Sequence, residues 1–157
     1  MAHTGFGAVE VDGTRLHARD YGEVTTSARA EHTVRLAIIF SRVEELLDTH
    51  RPAAVSLEDL YVGRNPRTIL AVGQARGAVL AACGRAGVEV CGYSPAQIKT
   101  SVCGYGRAEK GQVMHMVKTM LSLREQVSSD HASDALAAAI CHARMAHSRA
   151  LVAGARR

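Results

Sequence analysis

The chain has 157 residues, of which 47% are apolar, and a formal net charge of +4. This size and composition predict one globular domain with a full core and exclude intrinsic disorder. There is no apolar run of membrane-span length, no signal-peptide pattern at the N-terminus and no C-x-x-C pair among the four cysteines. We therefore expect a cytoplasmic protein with no membrane segment and no zinc knuckle. Its mild positive charge permits a polyanionic partner without requiring one.

The N-terminal region predicts a β-hairpin. Residues 7–11 alternate in polarity and lead into Asp12-Gly13, a dipeptide typical of a type I′ turn. Residues 14–19 are then the returning strand.

A helix and a strand are predicted after the hairpin. Apolar residues recur at helical spacing up to residue 47, and Thr26 or Ser27 is the expected N-cap. The segment 52–60 begins as a small, apolar strand and ends in two carboxylates, Glu58 and Asp59. Since strand residues alternate in direction, Asp59 is expected to point away from Glu58.

The second half predicts helices around one further strand. The predicted elements are a helix over 68–85, a strand over 88–93, a helix over 95–102, a helix that follows residue 110 and a last helix over 131–147. The strand–helix–strand order predicts a right-handed crossover between parallel strands. Residues 1–147 would form the domain, and 148–157 a flexible tail.

Two acidic positions could carry metal chemistry. Glu58 lies at the carboxyl end of a predicted strand, where ligands collect in open α/β sheets. Asp130, His131 and Asp134 open the last helix, and residues three or four apart share a helical face. Oxygen-rich clusters of this kind suit Mg²⁺ or Mn²⁺. The alternative is structural, with Glu58 opening a solvated loop, Asp130 capping the helix and Asp134 adding charge to its first turn.

Three other side chains could contact a nucleic acid. Lys99 and Lys110 flank glycine-containing segments and are either phosphate ligands or solvated surface lysines. Tyr61 is either partly buried packing or a stacking surface for an unpaired base.

Five blocks stand together in the order and spacing of one family. They are residues 57–65 (LEDLYVGRN), 72–77 (VGQARG), 93–99 (YSPAQIK), 104–116 (GYGRAEKGQVMHM) and 131–137 (HASDALA). With these blocks the chain resembles RuvC-type Holliday-junction resolvases, which are crossover junction endodeoxyribonucleases. The resemblance implies an RNase H-like mixed sheet flanked by helices, and a homodimer that acts on four-way junction DNA in recombination and repair. It also implies two Mg²⁺ ions per subunit, with Mn²⁺ as a substitute, and a branch-migration complex of the RuvA and RuvB type as partner.

The resemblance also assigns residues. Glu58, His131 and Asp134 match the family's catalytic metal ligands, and Asp130 is the reserve ligand. Gln74 and Arg76 fall on the helix at the family's dimer interface, where their first interpretation is structural. The positions matched to DNA contacts are Tyr61, Arg64, Lys99, Arg107 and Lys110.

One family feature is missing from this sequence. The family opens with a strand that ends in Gly-Ile-Asp-Pro-Gly, and this strand lies between the hairpin and the strand that ends at Glu58. The sequence contains neither the strand nor its catalytic aspartate. We expect either a longer protein, in which Met1 is not the true start, or a catalytically deficient protein that still binds DNA junctions. A related nuclease with another substrate is the remaining alternative.

Overall fold

The structure is a computed structural model that describes residues 2–59 and 66–154. After an initial hairpin, helices and strands alternate, and three consecutive helices come last. The strands are β1 (Ala2–Asp12), β2 (Arg15–Thr26), β3 (Ala54–Glu58) and β4 (Glu89–Tyr93). The helices are α1 (His32–His50), α2 (Pro66–Ala86), α3 (Pro95–Cys103), α4 (Lys110–Met120) and α5 (Asp130–Gly154).

The predicted hairpin is present, but its turn differs from the prediction. Strands β1 and β2 are antiparallel, and Asp12 pairs with Arg15 across the two-residue loop Gly13-Thr14. Gly13 has a φ of 60°, whereas the φ of Thr14 is not positive. A type I′ turn needs a positive φ at both loop positions, so the arrangement fits type II′ instead.

Helix α1 begins later than predicted, because neither expected N-cap is available. Thr26 is the last residue of β2, is only 2% exposed, and accepts a hydrogen bond from Arg35 Nε at 3.3 Å. Ser27 Oγ accepts the Arg29 N–H at 3.2 Å, which closes a local turn. The helix therefore starts at His32.

The two remaining strands form the predicted parallel pair. Strand β3 pairs with β4 from Ala54 opposite Glu89 to Glu58 opposite Tyr93, and α2 makes the crossover. Over the described residues the strands form two separate two-stranded sheets, β1–β2 and β3–β4. The ladder is thus interrupted between the hairpin and the strand that ends at Glu58.

Helix α5 packs against both sheets and holds the core together. Leu136 and Ile140 of α5 are fully buried in a cluster that includes side chains from β4, α3 and α4. The helix approaches β1 so closely that a Cβ on Gly5 would lie 1.9 Å from the main-chain oxygen of His131. The first turn of α5 is therefore seated directly on the hairpin.

The later helices extend somewhat beyond their predicted ends. Helix α2 begins at Pro66 and α3 ends at Cys103. Helix α5 continues past His147 to Gly154, because the intervening sequence is rich in good helix formers. The flexibility of residues 148–157 stays a prediction.

Candidate active site

Glu58 ends strand β3 at the edge where α3 begins. It lies opposite Tyr93, the last residue of β4, and Ser94 then caps α3 in a reciprocal capping box with Gln97. The Glu58 side chain remains solvent-accessible. Partial burial nevertheless raises the pKa of its carboxyl group, and the nearby carboxylate of Asp134 raises it further. Lys99, on α3, acts in the opposite direction and lowers it.

The N-terminal part of α5 presents two carboxylates to one lysine. Lys110 Nζ lies 2.9 Å from Asp130 Oδ2 and 3.7 Å from Asp134 Oδ2. All three side chains are about half exposed, so each ion pair is screened by solvent. The hydrogen bond that Lys110 donates to the Asp130 carboxylate is the main cause of the raised pKa of Lys110. The ammonium group thus partly neutralises both acids.

Capping interactions fix where these charged residues stand. Ser129 Oγ accepts the Ala132 N–H at 3.0 Å, so Ser129 caps α5 rather than Asp130. Lys110 is the first residue of α4, which begins with a capping box between Glu109 and Gln112. Because the caps set where each helix begins, they direct Asp134 and Lys110 towards each other.

His131 makes its contacts with the hairpin. Its ring is stacked on that of His3, with centroids 5.7 Å apart and planes 9° from parallel. His3 Nδ1 lies 2.8 Å from Glu23 Oε2, and the Ser129 hydroxyl donates to the other oxygen of Glu23. The hydrogen bond from Ser129 is the largest cause of a lowered pKa at Glu23, and His3 lowers this pKa further. Among the predicted ligands, then, the Asp134 carboxylate raises the pKa of Glu58, whereas His131 faces His3.

The donor chemistry of this edge suits a hard divalent cation. Two carboxylates repel each other across it, as the raised pKa of Glu58 records, and a cation would relieve that repulsion. In the part of the chain that the structure describes, no three or more His, Cys, Asp or Glu side chains stand close enough to bind a metal ion together. The site therefore fits a divalent cation in its charge and in the type of its ligands. A complete coordination shell would need further ligands.

The predicted DNA contacts have different outcomes. Lys99 is half-buried beside Glu58, and Arg107 is exposed on the loop before α4. Tyr61 and Arg64 lie outside the described residues. Tyr105 is an additional aromatic residue on the same loop as Arg107. It is 47% exposed, and its hydroxyl donates to Gln112 Oε1 at 2.8 Å.

Sequence reasoning missed the polar network under α5. His3, Glu23 and Ser129 are distant in sequence, and no spacing rule connects them. The one available signal was Ser129 itself, since a serine three residues before the Ala132 N–H is a typical N-cap. The partners on the hairpin became visible only in the fold.

The comparisons with known proteins agree with one another. The sequence model of the family described as "Crossover junction endodeoxyribonuclease RuvC" matches residues 1–142. A relative of that name from Heliobacterium modesticaldum is 49% identical over 137 residues, 87% of this chain and 85% of the relative. One from Ruminiclostridium cellulolyticum is 42% identical over 142 residues, 90% of this chain and 86% of the relative.

Solved structures match the fold as well. The structure titled "Thermus thermophilus RuvC structure" has a TM-score of 0.84 and 38% identity, over 92% of this chain and 89% of that chain. The structure titled "T. thermophilus RuvC in complex with Holliday junction substrate" has a TM-score of 0.85 and 36% identity, with the same coverage.

These likenesses confirm the mixed α/β, RNase H-like fold implied by the resemblance. Within the described residues, no helix is both long and apolar enough to cross a bilayer. A family match over most of the chain, together with relatives of this identity, decides the assignment. The chain belongs to the RuvC family of crossover junction endodeoxyribonucleases.

Proposed function

We propose that this protein is an endonuclease that resolves four-way DNA junctions in recombination and repair. The observation that carries the proposal is the edge where β3, α3, α4 and α5 meet. Glu58 and Asp134 lie close enough there for one to raise the pKa of the other, and Lys99 lies beside Glu58. Lys110 completes the group through its ion pairs with α5. Acids beside lysines suit a reaction at a phosphodiester, because the substrate brings negative charge to the site.

Glu58 and Asp134 would hold magnesium, with His131 or Asp130 as a further ligand. His131 would have to leave its stack on His3, whereas Asp130 already stands beside Asp134 at Lys110. Two ions would activate water for attack and stabilise the leaving oxygen, and Mn²⁺ would replace Mg²⁺. The number of ions, their identity and the ligand set rest on the family resemblance and on the carboxylate chemistry of this edge.

The basic residues would bind and orient the DNA backbone. Lys110 shares its charge with Asp130 and Asp134, so a cation that took those carboxylates would free the ammonium for a phosphate oxygen. Lys99, which lies near Glu58, would also neutralise phosphate charge. Arg107, Arg64 and Tyr61 are proposed contacts outside the reacting group, with Tyr61 stacked on an unpaired base.

A homodimer would place two such sites on one junction. C₂ symmetry suits a near-symmetric four-way substrate that must be cut on two strands. The apolar side chain of Leu70 on α2 is 63% exposed, which favours an interface on that helix. A branch-migration complex of the RuvA and RuvB type is the proposed further partner, by resemblance alone.

We propose that the gap between the two sheets accepts a further strand. The described strands form β1–β2 and β3–β4 with no ladder between them. Unpaired edge groups favour the addition of a strand. An aspartate at the carboxyl end of such a strand would stand beside Glu58.

Replacing Glu58 by glutamine tests the assignment. Glu58→Gln keeps the side-chain shape and removes the charge that would hold a cation. Mg²⁺-dependent cutting of a synthetic four-way junction should fall by about a hundredfold or more, the scale lost with one strongly stabilising group. Binding of the same junction in Ca²⁺ should stay nearly unchanged, because phosphate contacts dominate affinity.

Glu89→Gln is the matched control for this experiment. Glu89 pairs with Ala54 at the opposite end of the same parallel ladder, so cutting should survive its substitution. The cleavage and binding assays should use this chain and a version that carries the additional strand. Equal loss of cutting and binding in Glu58→Gln would show that Glu58 is structural.

A junction-binding protein without catalysis is the second candidate. It is favoured by the lack of a preformed three-ligand group in the described part of the chain. Tight junction binding with no cutting by either version of the chain would establish it.

A further inference from the structure

A guanidinium group from α2 holds the carboxyl end of β3. Arg76 Nη1 donates to the main-chain oxygen of Glu58 at 2.6 Å, and Arg76 Nη2 lies 3.4 Å from Asp59 Oδ1. The Arg76 side chain is only 22% exposed, whereas that of Asp59 is 51% exposed. A largely enclosed arginine fork therefore joins two consecutive residues at the strand end.

The direction of the Glu58 carbonyl explains why a donor from a helix is needed. The Asp59 N–H donates to the Tyr93 oxygen at 2.8 Å and so points towards β4. In a trans peptide unit the C=O and N–H groups point in opposite directions, so the Glu58 carbonyl points away from β4. Arg76 Nη1 donates a hydrogen bond to this carbonyl from α2.

Gly92 leaves the space that this arrangement needs. A Cβ at Gly92 would lie 2.4 Å from Asp59 Oδ1, so the carboxylate rests against the main chain of β4. A side chain at position 92 would therefore displace the Asp59 carboxylate that contacts Arg76. Contacts from α2, β3 and β4 thus converge on the peptide that follows Glu58.

We propose that Arg76 is a positioning residue, which acts with Asp59 to fix the main chain at Glu58 and so to set the place of the Glu58 carboxylate. Arg76 contacts the carbonyl of Glu58 and not its side chain, so its effect on chemistry would pass through Glu58. The role in catalysis rests on the proposed function, because it requires Glu58 to be a metal ligand. A displacement of about 1 Å at such a group is enough to reduce activity strongly.

Amide hydrogen exchange, measured by NMR on the full chain, tests the proposal without metal or DNA. Arg76→Gln removes the guanidinium fork. The Asp59 amide should exchange about tenfold faster in this variant, since the strand end opens more easily, while the Val55 amide near the start of β3 should not change. Arg85→Gln is the matched control, because Arg85 lies on the same helix and pairs with Glu44 of α1, away from β3.

Manganese titration measures the consequence for the site. Arg76→Gln should weaken Mn²⁺ binding by about tenfold to a hundredfold, as expected when the support of a ligand is lost. Arg76→Lys should recover part of this loss, because an ammonium can replace one of the two contacts.

Two results would overturn the proposal: an unchanged Asp59 exchange rate in Arg76→Gln, or an equal acceleration in Arg85→Gln. A wild-type chain that binds no Mn²⁺ would instead contradict the metal-dependent function. The exchange comparison would still decide whether Arg76 holds the strand end.

Discussion

At the scale of single residues, the Glu58 carboxyl group is held in an environment that disfavours its charge. Partial burial and the Asp134 carboxylate raise its pKa, and Lys99 offsets only part of this effect. Because the pKa is higher in the folded state, the free energy of unfolding falls as the pH rises from the ordinary value of 4.5 through the raised value. Carboxyl groups whose ionised form is destabilised in this way are common at functional sites.

This raised pKa predicts the pH dependence of cation binding. A proton and Mn²⁺ compete for Glu58, so the Mn²⁺ affinity should rise by up to about tenfold per pH unit below the raised pKa and level off above it. Isothermal titration calorimetry in buffers of different ionisation enthalpy would count the released proton. In Glu58→Gln this proton should disappear. A wild-type affinity that stays flat from pH 4.5 upwards would contradict the prediction.

At the scale of elements, the close approach of β1 to α5 decides where the first turn of α5 lies. Gly5 and Gly7 have no Cβ, and a Cβ at Gly7 would lie 2.8 Å from the Leu136 side chain. The polar network of Glu23 and Ser129 then joins β2 to the cap of the same helix. The hairpin therefore supports the segment that carries Asp134.

Gly5→Ala should destabilise the fold and displace that segment. The added Cβ would meet main-chain atoms of His131, which cannot rotate away as a side chain could. We expect a loss of about 3 kcal/mol in the free energy of unfolding, at the upper end of overpacking effects. Urea denaturation followed by circular dichroism would measure it.

Gly111→Ala is the matched control, since a Cβ there would meet nothing within 4 Å and alanine is the better helix former. Gly111→Ala should be neutral or stabilising by up to about 1 kcal/mol. If Gly5→Ala unfolded at the same urea concentration as the wild type, β1 and α5 would not be packed as described.

Periodicity and turn signals predicted most of the elements, because those depend on neighbouring residues. Two incorrect predictions concern helix starts, which depend on tertiary contacts. Thr26 is a good N-cap by type, but it is buried at the end of β2, so α1 starts at His32. Asp130 is also a good cap by type, yet Ser129 holds that role while Asp130 pairs with Lys110.

The candidate site was predictable only through the resemblance of several blocks taken together. Glu58 and Asp134 lie far apart in sequence, and the effect of Asp134 on the pKa of Glu58 requires β3 and α5 to meet in the fold. The contact of His131 with His3, and that of Arg76 with the Glu58 carbonyl, depend on which way each side chain turns. No local pattern determines such directions.

At the scale of the whole molecule, helix α2 connects two kinds of surface. One of its residues, Arg76, reaches the carboxyl end of β3, while the apolar side chain of Leu70 is 63% exposed. Exposed apolar patches on a folded subunit are typical of interfaces, and α2 also exposes Val72 and Leu80. If two copies meet on α2, the dimer interface lies on the same helix that fixes Glu58, so assembly and site geometry would share one element.

Leu70→Glu should therefore separate the dimer into monomers. A buried carboxylate at an interface is costly when unpaired, so we expect the dimer dissociation constant to rise by at least about a hundredfold. Sedimentation velocity over a range of protein concentrations would measure it. Val11→Glu is the matched control, because Val11 is 51% exposed on the hairpin, away from α2. If the dimer dissociation constant were unchanged in Leu70→Glu, the interface would not lie on this part of α2. It would also separate the positioning role of Arg76 from assembly.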